Sequence, residues 1–127
     1  MAENKEYFTQ EMENGSIQIS EDVVASVTGM AVLEVEGVCG LSSTIGTDIA
    51  EMLGMKTLSK GVRLSSTESG ALRIDCDVVS KFGQNIFELA KNVQENVKSS
   101  VESVTGLRVA EVNVTVCGIA LPKEAKK

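Results

Sequence analysis

The residues best able to do chemistry in this sequence are two aspartates, Asp75 and Asp77. They are two positions apart in a segment of strand-like alternation, so their carboxylates would share one face of a strand. Such a pair could exchange protons or hold a cation, provided that it is buried or has further ligands nearby. The competing interpretation is the water-exposed face of an antiparallel sheet, and the neighbouring Arg73 favours it. The chain has no histidine, which excludes a Ser-His-Asp or Cys-His mechanism.

The three cysteines are Cys39, Cys76 and Cys117, and no two of them form a C-x-x-C pair. Without histidine, a zinc site would have too few good ligands. The odd count favours free thiols in a reducing compartment. We expect Cys76 to be a small core residue and Cys117 to be exposed near the end of a strand. The sequence therefore predicts no catalytic residue, no metal ligand and no cofactor-binding residue.

A third candidate is the segment 81–85, KFGQN, which joins a strand to the start of a helix. Such a turn can hold an anion on backbone N–H groups, here around Asn85 and Ile86. The segment has neither the G-x-x-x-x-G-K-[ST] phosphate loop nor the G-x-G-x-x-G fingerprint. A plain connection with a capped helix is the stronger interpretation. The alternative is a small-molecule enzyme or anion-binding module centred on Gly83.

These candidates depend on a strand-helix-strand unit between residues 71 and 117. Asn85 is the expected N-cap of the helix, with Glu88 three residues later, and Gly106 is the expected stop. The apolar positions of the helix recur at spacings of three and four. They are Ile86, Leu89, Val93, Val97, Val101 and Val104. Lys98 belongs to the opposite, polar face.

The strands on either side of this helix alternate with period two. In the segment 71–80 one face carries Leu72, Ile74, Cys76 and Val78, and in the segment 109–116 one face carries Ala110, Val112, Val114 and Val116. The first of these strands is expected to pair with residues 61–66 in a hairpin. We expect both apolar rows to cover the long helix.

The N-terminal third of the chain predicts one strand and one helix. Residues 16–19 are the strand, Ser20 is the N-cap and Gly37 is the stop. The expected apolar face of this helix comprises Val23, Val27, Met30 or Ala31, and Val35. Residues 37–40 are a turn or the start of an extended segment. Residues 42–60 are a loop, or contain a short helix over residues 48–53.

The order β-α-β-β-α-β predicts a single α+β domain with a mixed or antiparallel sheet and both main helices on one face. We expect residues 1–14 to be a flexible N-terminal segment, residues 15–120 to be the domain and residues 121–127 to be a flexible C-terminal tail.

Charge limits the classes of partner. The 127 residues carry 18 acidic and 12 basic side chains, a net charge of −6. This balance argues against nucleic acid and against direct adhesion to an anionic membrane. The N-terminus lacks the apolar core of a secretory signal, and no apolar run approaches the ~20 residues that span a bilayer. We therefore expect a cytoplasmic protein that reaches a membrane, if at all, through a partner.

Several segments, taken together and in order, resemble the alkaline shock protein family, small proteins linked to the envelope stress response of Gram-positive bacteria. They are GSIQIS (15–20) with VV (23–24), AVLEVEGVCG (31–40), KGV (60–62), KFG (81–83), VQENV (93–97), TGL (105–107) and VAEVNVTV (109–116). The resemblance covers roughly residues 15–120.

The resemblance implies a non-catalytic cytoplasmic protein that self-associates and acts as a scaffold through protein–protein contacts. Some family members are held at the membrane by a small integral membrane partner. Others are encoded beside fatty-acid kinase or acetyl-CoA carboxylase, so the alternative is a regulatory partner of fatty-acid or envelope lipid metabolism enzymes. The family supplies no catalytic residues, in agreement with the residue types and spacings of this sequence.

Overall fold

The computed structural model describes residues 7–41 and 61–121. Six strands and two helices are present among these residues. They are β1 (Tyr7–Met12), β2 (Gly15–Ser20), α1 (Glu21–Glu34), β3 (Val38–Leu41), β4 (Val62–Ser66), β5 (Leu72–Lys81), α2 (Ile86–Thr105) and β6 (Val109–Ala120). The predicted α+β class is confirmed, with β1 and β3 added to the predicted order.

Strand β5 is the centre of a four-stranded mixed sheet. It pairs in parallel with β6 from Leu72 to Lys81, so β6 occupies one whole edge of β5. The antiparallel partners must therefore share the other edge, where β4 pairs along the first half of β5 and β3 pairs with Val78, Val79 and Ser80. The predicted hairpin of β4 and β5 is confirmed, with its turn closed by a hydrogen bond from the Gly70 N–H to the Thr67 carbonyl, 2.9 Å.

Both helices pack on one face of this sheet, as predicted. α1 contacts β3 and β4, α2 contacts β6, and the helices contact each other. The inner row of β5, Leu72, Ile74, Cys76 and Val78, is fully buried beneath them. Burial of these side chains with Val93 and Val97 of α2 in one cluster supplies the main driving force for folding.

Helix α2 forms as its pattern predicts. The Asn85 side chain accepts a hydrogen bond from the Glu88 N–H at 3.1 Å, and Gly106 ends the helix in the left-handed conformation with φ 78°. The buried stripe consists of Leu89, Val93, Val97 and Val101. The prediction for Val104 was wrong, because this side chain lies at the groove between the two helices and is 66% exposed.

The predicted apolar face of α1 is confirmed in part, since Ala31 is buried and Val27 and Val35 pack against the core, and the Ser20 N-cap is confirmed. The buried side is rotated to Val24, Ala25, Thr28, Gly29, Ala31 and Val32. Val23 and Met30 are exposed instead. The physical reason is close packing: small residues let α1 approach both α2 and the sheet, and the Thr28 hydroxyl is satisfied within the helix by the Val24 carbonyl at 2.8 Å.

Strand β6 contains two interruptions of register. Leu72 lies opposite Val109 and Arg73 opposite Glu111, so Ala110 is an extra, bulged residue. The bulge turns Val109 inward and leaves Ala110 exposed, which corrects the prediction that Ala110 lies in the inner row. A second shift between Val78 and Val79 makes Cys117 the other bulged residue.

The sequence predicts a flexible segment over residues 1–14, but part of this segment has regular structure. Tyr7–Met12 forms β1, which pairs antiparallel with β2 as a separate two-stranded sheet. Phe8 and Ile19 of this hairpin pack against the core. Of the two predictions for residues 37–40, a turn or an extended segment, the extended one is confirmed, since β3 begins at Val38. The predictions for residues 42–60 and for the tail from residue 122 lie outside the described residues.

Candidate interaction surfaces

The two candidate carboxylates lie on the outer face of the sheet, and each has its own partner. Asp77 accepts two hydrogen bonds from the Arg63 guanidinium, at 2.8 and 3.2 Å. Asp75 accepts one from the Asn113 amide at 2.9 Å. The two side chains share a strand face as predicted, but they are not joined in one site. They belong to the water-exposed polar face that was the competing interpretation.

Neighbouring charges on this face are paired in the same way. The Arg73 guanidinium lies 2.9 Å from Glu111, whose carboxylate also accepts a hydrogen bond from Asn113 at 3.0 Å. The hydrogen bond from Arg63 is the main cause that lowers the pKa of Asp77, and the same contact raises the pKa of Arg63. A general acid or base at neutral pH needs the opposite shift of a carboxyl pKa. Across the described ranges, no group of acidic and cysteine side chains is arranged to hold a metal ion.

The cysteines differ in burial, and Cys76 and Cys117 lie as predicted. Cys76 is fully buried, and desolvation is the main cause that raises the pKa of its thiol to about 12. A thiol of this kind is unreactive, because the thiolate is the nucleophile. Cys39 and Cys117 are exposed, and the Cys117 thiol donates to the Val78 carbonyl at 3.5 Å.

The turn before α2 uses its polar groups within the fold. The N–H of Lys81 donates to the Gly37 carbonyl at 2.8 Å, and that of Phe82 donates to Ala120 at 3.1 Å. The Gln84 side chain lies against Gly37, where a Cβ would come within 2.5 Å of the Gln84 side-chain oxygen. Together with the Asn85 cap, these contacts make the segment a capped connection rather than an open cradle for an anion.

Three polar side chains of α2 reach over the outer edge of β6, an arrangement that the sequence analysis missed. Gln94 donates to the Val112 carbonyl at 2.9 Å, and Lys98 donates to the Val109 carbonyl at 3.1 Å. The Glu102 carboxylate accepts from the Val109 N–H at 2.9 Å, and this bond is the main cause that lowers its pKa. The signal was the spacing of four residues, which places all three on one side of the helix.

Two patches of large apolar side chains are exposed. The first, called the helix patch, lies where the two helices meet and comprises the exposed Met30 and Val104 with the half-buried Val27. Met30 is 50% exposed there. The second, called the end patch, lies near the C-terminal ends of β5 and β6 and comprises Phe82, Phe87, Ile119 and Leu121. The helix patch forms one continuous groove, and contiguous apolar surface is typical of sites that contact other molecules.

The fold and these surfaces define a class: an α+β domain with a paired polar sheet face and exposed apolar contact patches. The family model described as the ASP23 family, with a cell envelope-related function, matches residues 9–121. The chain belongs to this family of alkaline shock proteins, and the resemblance seen in the sequence is confirmed.

Relatives in Gram-positive bacteria match along most of their length. The uncharacterized protein Spy1614 of Streptococcus pyogenes serotype M6 is 37% identical over 113 residues, which cover 87% of this chain and 93% of the relative. The uncharacterized protein YqhY of Bacillus subtilis is 30% identical over 113 residues, covering 89% of this chain and 83% of the relative. YloU of the same species, also uncharacterized, is 36% identical over 107 residues, covering 83% and 88%.

Among solved structures, two MamM CTD variants are similar with TM-scores of 0.48 and 0.47, each at 15% identity. The matches cover 77% and 76% of this chain, and 96% and 93% of the MamM chains. Likeness at this level carries no argument about function. Neither described helix combines the length and the apolar character that crossing a membrane requires.

Proposed function

We propose that this protein is a non-catalytic, cytoplasmic scaffold that serves the cell envelope-related function of its family through protein–protein contacts. The observation that carries the proposal is the contrast between its surfaces. The carboxylates Asp75, Asp77 and Glu111 of the outer sheet face have hydrogen-bond partners on that face, whereas Met30 and Val104 are exposed to water at the helix patch. A catalytic site would require the reverse, with reactive groups gathered in a cleft.

The helix patch is the surface on which the proposal depends. Val27 and Met30 of α1 and Val104 of α2 line a shallow groove with little polar surface. The groove is held open by a fixed helix pair, since the Asn96 amide donates to the Ala31 carbonyl at 2.7 Å and to Glu34 at 3.3 Å. Exposed apolar groups on a rigid frame lose little conformational entropy on binding, which favours docking of a partner there.

A cytoplasmic protein with an envelope-related function needs a link to the membrane. The net charge of −6 opposes direct contact with anionic lipid. We therefore propose that any association with the membrane runs through a protein partner, such as a small integral membrane protein. No observation on the described residues favours the alternative of regulating acetyl-CoA carboxylase or fatty-acid kinase, and the family description does not mention lipid synthesis.

The test is site-specific photo-crosslinking in living cells. A photoreactive residue at Met30 probes the helix patch, and the same residue at Glu68, in the exposed β4–β5 turn, is the matched control. We expect protein adducts at Met30 and none at Glu68. Sedimentation of the purified chain over a wide concentration range completes the test. A strict monomer that gives no adduct at Met30 would contradict the proposal.

A further inference from the structure

The two edges of the four-stranded sheet are built differently. One edge is divided between the short strands β3 and β4. The other edge is the whole of β6, which has 12 residues and, within residues 7–41 and 61–121, pairs only with β5. A long edge strand presents backbone N–H and C=O groups to which another strand can pair, so proteins normally shield it.

Helix α2 shields only the first half of this edge. The Arg108 carbonyl accepts from the Leu72 N–H at 2.8 Å and so faces β5. The next residue, Val109, faces away from β5, and its N–H and C=O are bonded to Glu102 and Lys98. Gln94 covers the Val112 carbonyl. Because backbone groups alternate in direction along a strand, those of Val114 and Val116 face the same edge beyond the last of these contacts.

The side of α2 that shields the edge changes character over the open half. Phe87 precedes Gln94 by two helical turns, about 10 Å along the axis. The helix runs antiparallel to β6, and about 10 Å corresponds to three strand residues past Val112, close to Thr115. Phe87 is 72% exposed, and Ile119 nearby on the strand is 50% exposed. Among the described residues, no side chain of α2 bonds to the second half of the edge as Gln94, Lys98 and Glu102 bond to the first. The helix instead presents Phe87 on this side, with the Lys91 ammonium 5.9 Å from the centre of its ring.

The open half also lacks the residues that discourage strand pairing. Residues 113–119 read NVTVCGI, with no charged residue and no proline. β-Branched residues, which favour strand pairing, make up most of the segment. Two copies of a chain with a net charge of −6 repel each other in general. At this neutral segment, however, two copies can approach without placing like charges opposite one another.

We propose that the open half of β6 pairs antiparallel with the same segment of a second copy, about a two-fold axis at Thr115. Val114 then lies opposite Val116 of the partner subunit, and each pair exchanges two backbone hydrogen bonds. A register centred on Val114 would need the Val112 carbonyl, which Gln94 occupies, and the Cys117 bulge ends the regular segment. The two four-stranded sheets become one, with all helices on the same side. This inference rests on the proposed function and names one partner and its surface.

The register makes Thr115 the residue to change. Thr115 is exposed on the outer face, so a lysine there leaves the core of the monomer untouched. In the dimer the two lysines lie directly opposite each other, which is unfavourable. The matched control is Ala110→Lys, which places the same charge at an exposed position in the shielded half of the same strand. Circular dichroism and thermal unfolding establish that both variants fold like the wild type.

Sedimentation velocity over a wide concentration range is the measurement. We expect the wild type and Ala110→Lys to dimerise alike and Thr115→Lys to raise the dimer dissociation constant at least about fivefold. An equimolar mixture of Thr115→Lys and Thr115→Glu should recover dimers, because opposite charges then meet at the axis. Recovery by the mixture is specific to a register centred on Thr115.

Three results would overturn the inference. They are a monomeric wild type, a Thr115→Lys variant that dimerises like the wild type, and an Ala110→Lys variant that is weakened as much as Thr115→Lys. A monomeric wild type whose photoreactive Thr115 variant captures a different protein would assign the edge to that protein instead. Adducts at Met30 with no effect at Thr115 would overturn this inference while leaving the proposed function standing.

Discussion

The two faces of β5 show how alternate residues of one strand can have opposite roles. On the inner face, Ile74, Cys76 and Val78 are fully buried against the helices. On the outer face, Asp75 and Asp77 are half-buried and accept hydrogen bonds from Asn113 and Arg63. The inner row contributes stability in proportion to the apolar area that it removes from water. The outer row consists of exposed ion pairs and hydrogen bonds, whose net contributions are small.

The comparison explains why the most reactive-looking residues of the sequence give no site. A carboxylate becomes a general acid or a metal ligand when burial or shared charge shifts its pKa or when other ligands converge on it. The outer face supplies a separate partner to each carboxylate instead. The helix patch and the outer edge of β6 are surfaces of another kind, apolar side chains and strand backbone, and both are suited to binding protein.

The largest effect on stability is expected when a charge is placed on the inner face of the sheet. Replacing Val97 with Asp buries a carboxylate that has no partner, which is strongly unfavourable unless it protonates or the structure opens. We expect Val97→Asp to lose cooperative unfolding. The matched control is Ser99→Asp on the exposed side of α2, with an expected change of about 0.5 kcal/mol or less. Thermal unfolding of both variants is the measurement, and a Val97→Asp protein that melts like the wild type would refute the packing described here.

A smaller effect should distinguish two adjacent residues of β5 that receive the same substitution. Cys76→Ser buries a hydroxyl in an apolar cluster, which costs about 1–3 kcal/mol when the hydroxyl finds no partner. Asp75→Ser changes a half-buried group on the polar face, where water can still reach the hydroxyl, and we expect a loss of less than about 1 kcal/mol. Urea unfolding with a common slope measures both free energies. Equal losses would mean that the two faces are not energetically distinct.

The ion pairs of the outer face should each contribute little. We expect Arg73→Ala to lower the free energy of unfolding by about 0.2–1 kcal/mol, since both members of its pair with Glu111 are about half exposed. The loss should shrink as salt is added, because screening weakens exposed pairs. A double-mutant cycle with Glu111→Ala isolates the pair. A coupling that stays the same in high salt would show that this face is shielded from water.

The smallest effect concerns pH. Because Arg63 lowers the pKa of Asp77 in the folded state, the native state binds fewer protons there than the unfolded chain. The resulting stability is complete above the unfolded pKa of about 4 and is lost as the pH falls through the lower folded pKa. The difference in unfolding free energy between the wild type and Asp77→Asn should therefore be constant above about pH 5 and should narrow below it. A difference that widened in acid would contradict the direction of the shift.

The sequence by itself determined the parts whose signals are local. The α2 stripe from Leu89 to Val101, its Asn85 and Gly106 ends and the inner row of β5 all follow from periodicity and capping chemistry within a few residues. The position of Asp75 and Asp77 on the polar face could also be anticipated, since alternation with a buried row leaves the other row to water. The family resemblance likewise came from the sequence alone.

Only the tertiary structure decided which side of α1 is buried, where β6 bulges and which half of its edge is open. The apolar residues of α1 are spread around the helix. Contacts with α2 and the sheet therefore determine that Val24 is buried and Val23 is exposed. The bulges at Ala110 and Cys117 fit β6 to β5, a strand separated from it by a whole helix. The shielding of Val109 and Val112 depends on the distance between α2 and the edge of the sheet. Each of these features is set by contacts between distant parts of the chain, which periodicity within one segment does not encode.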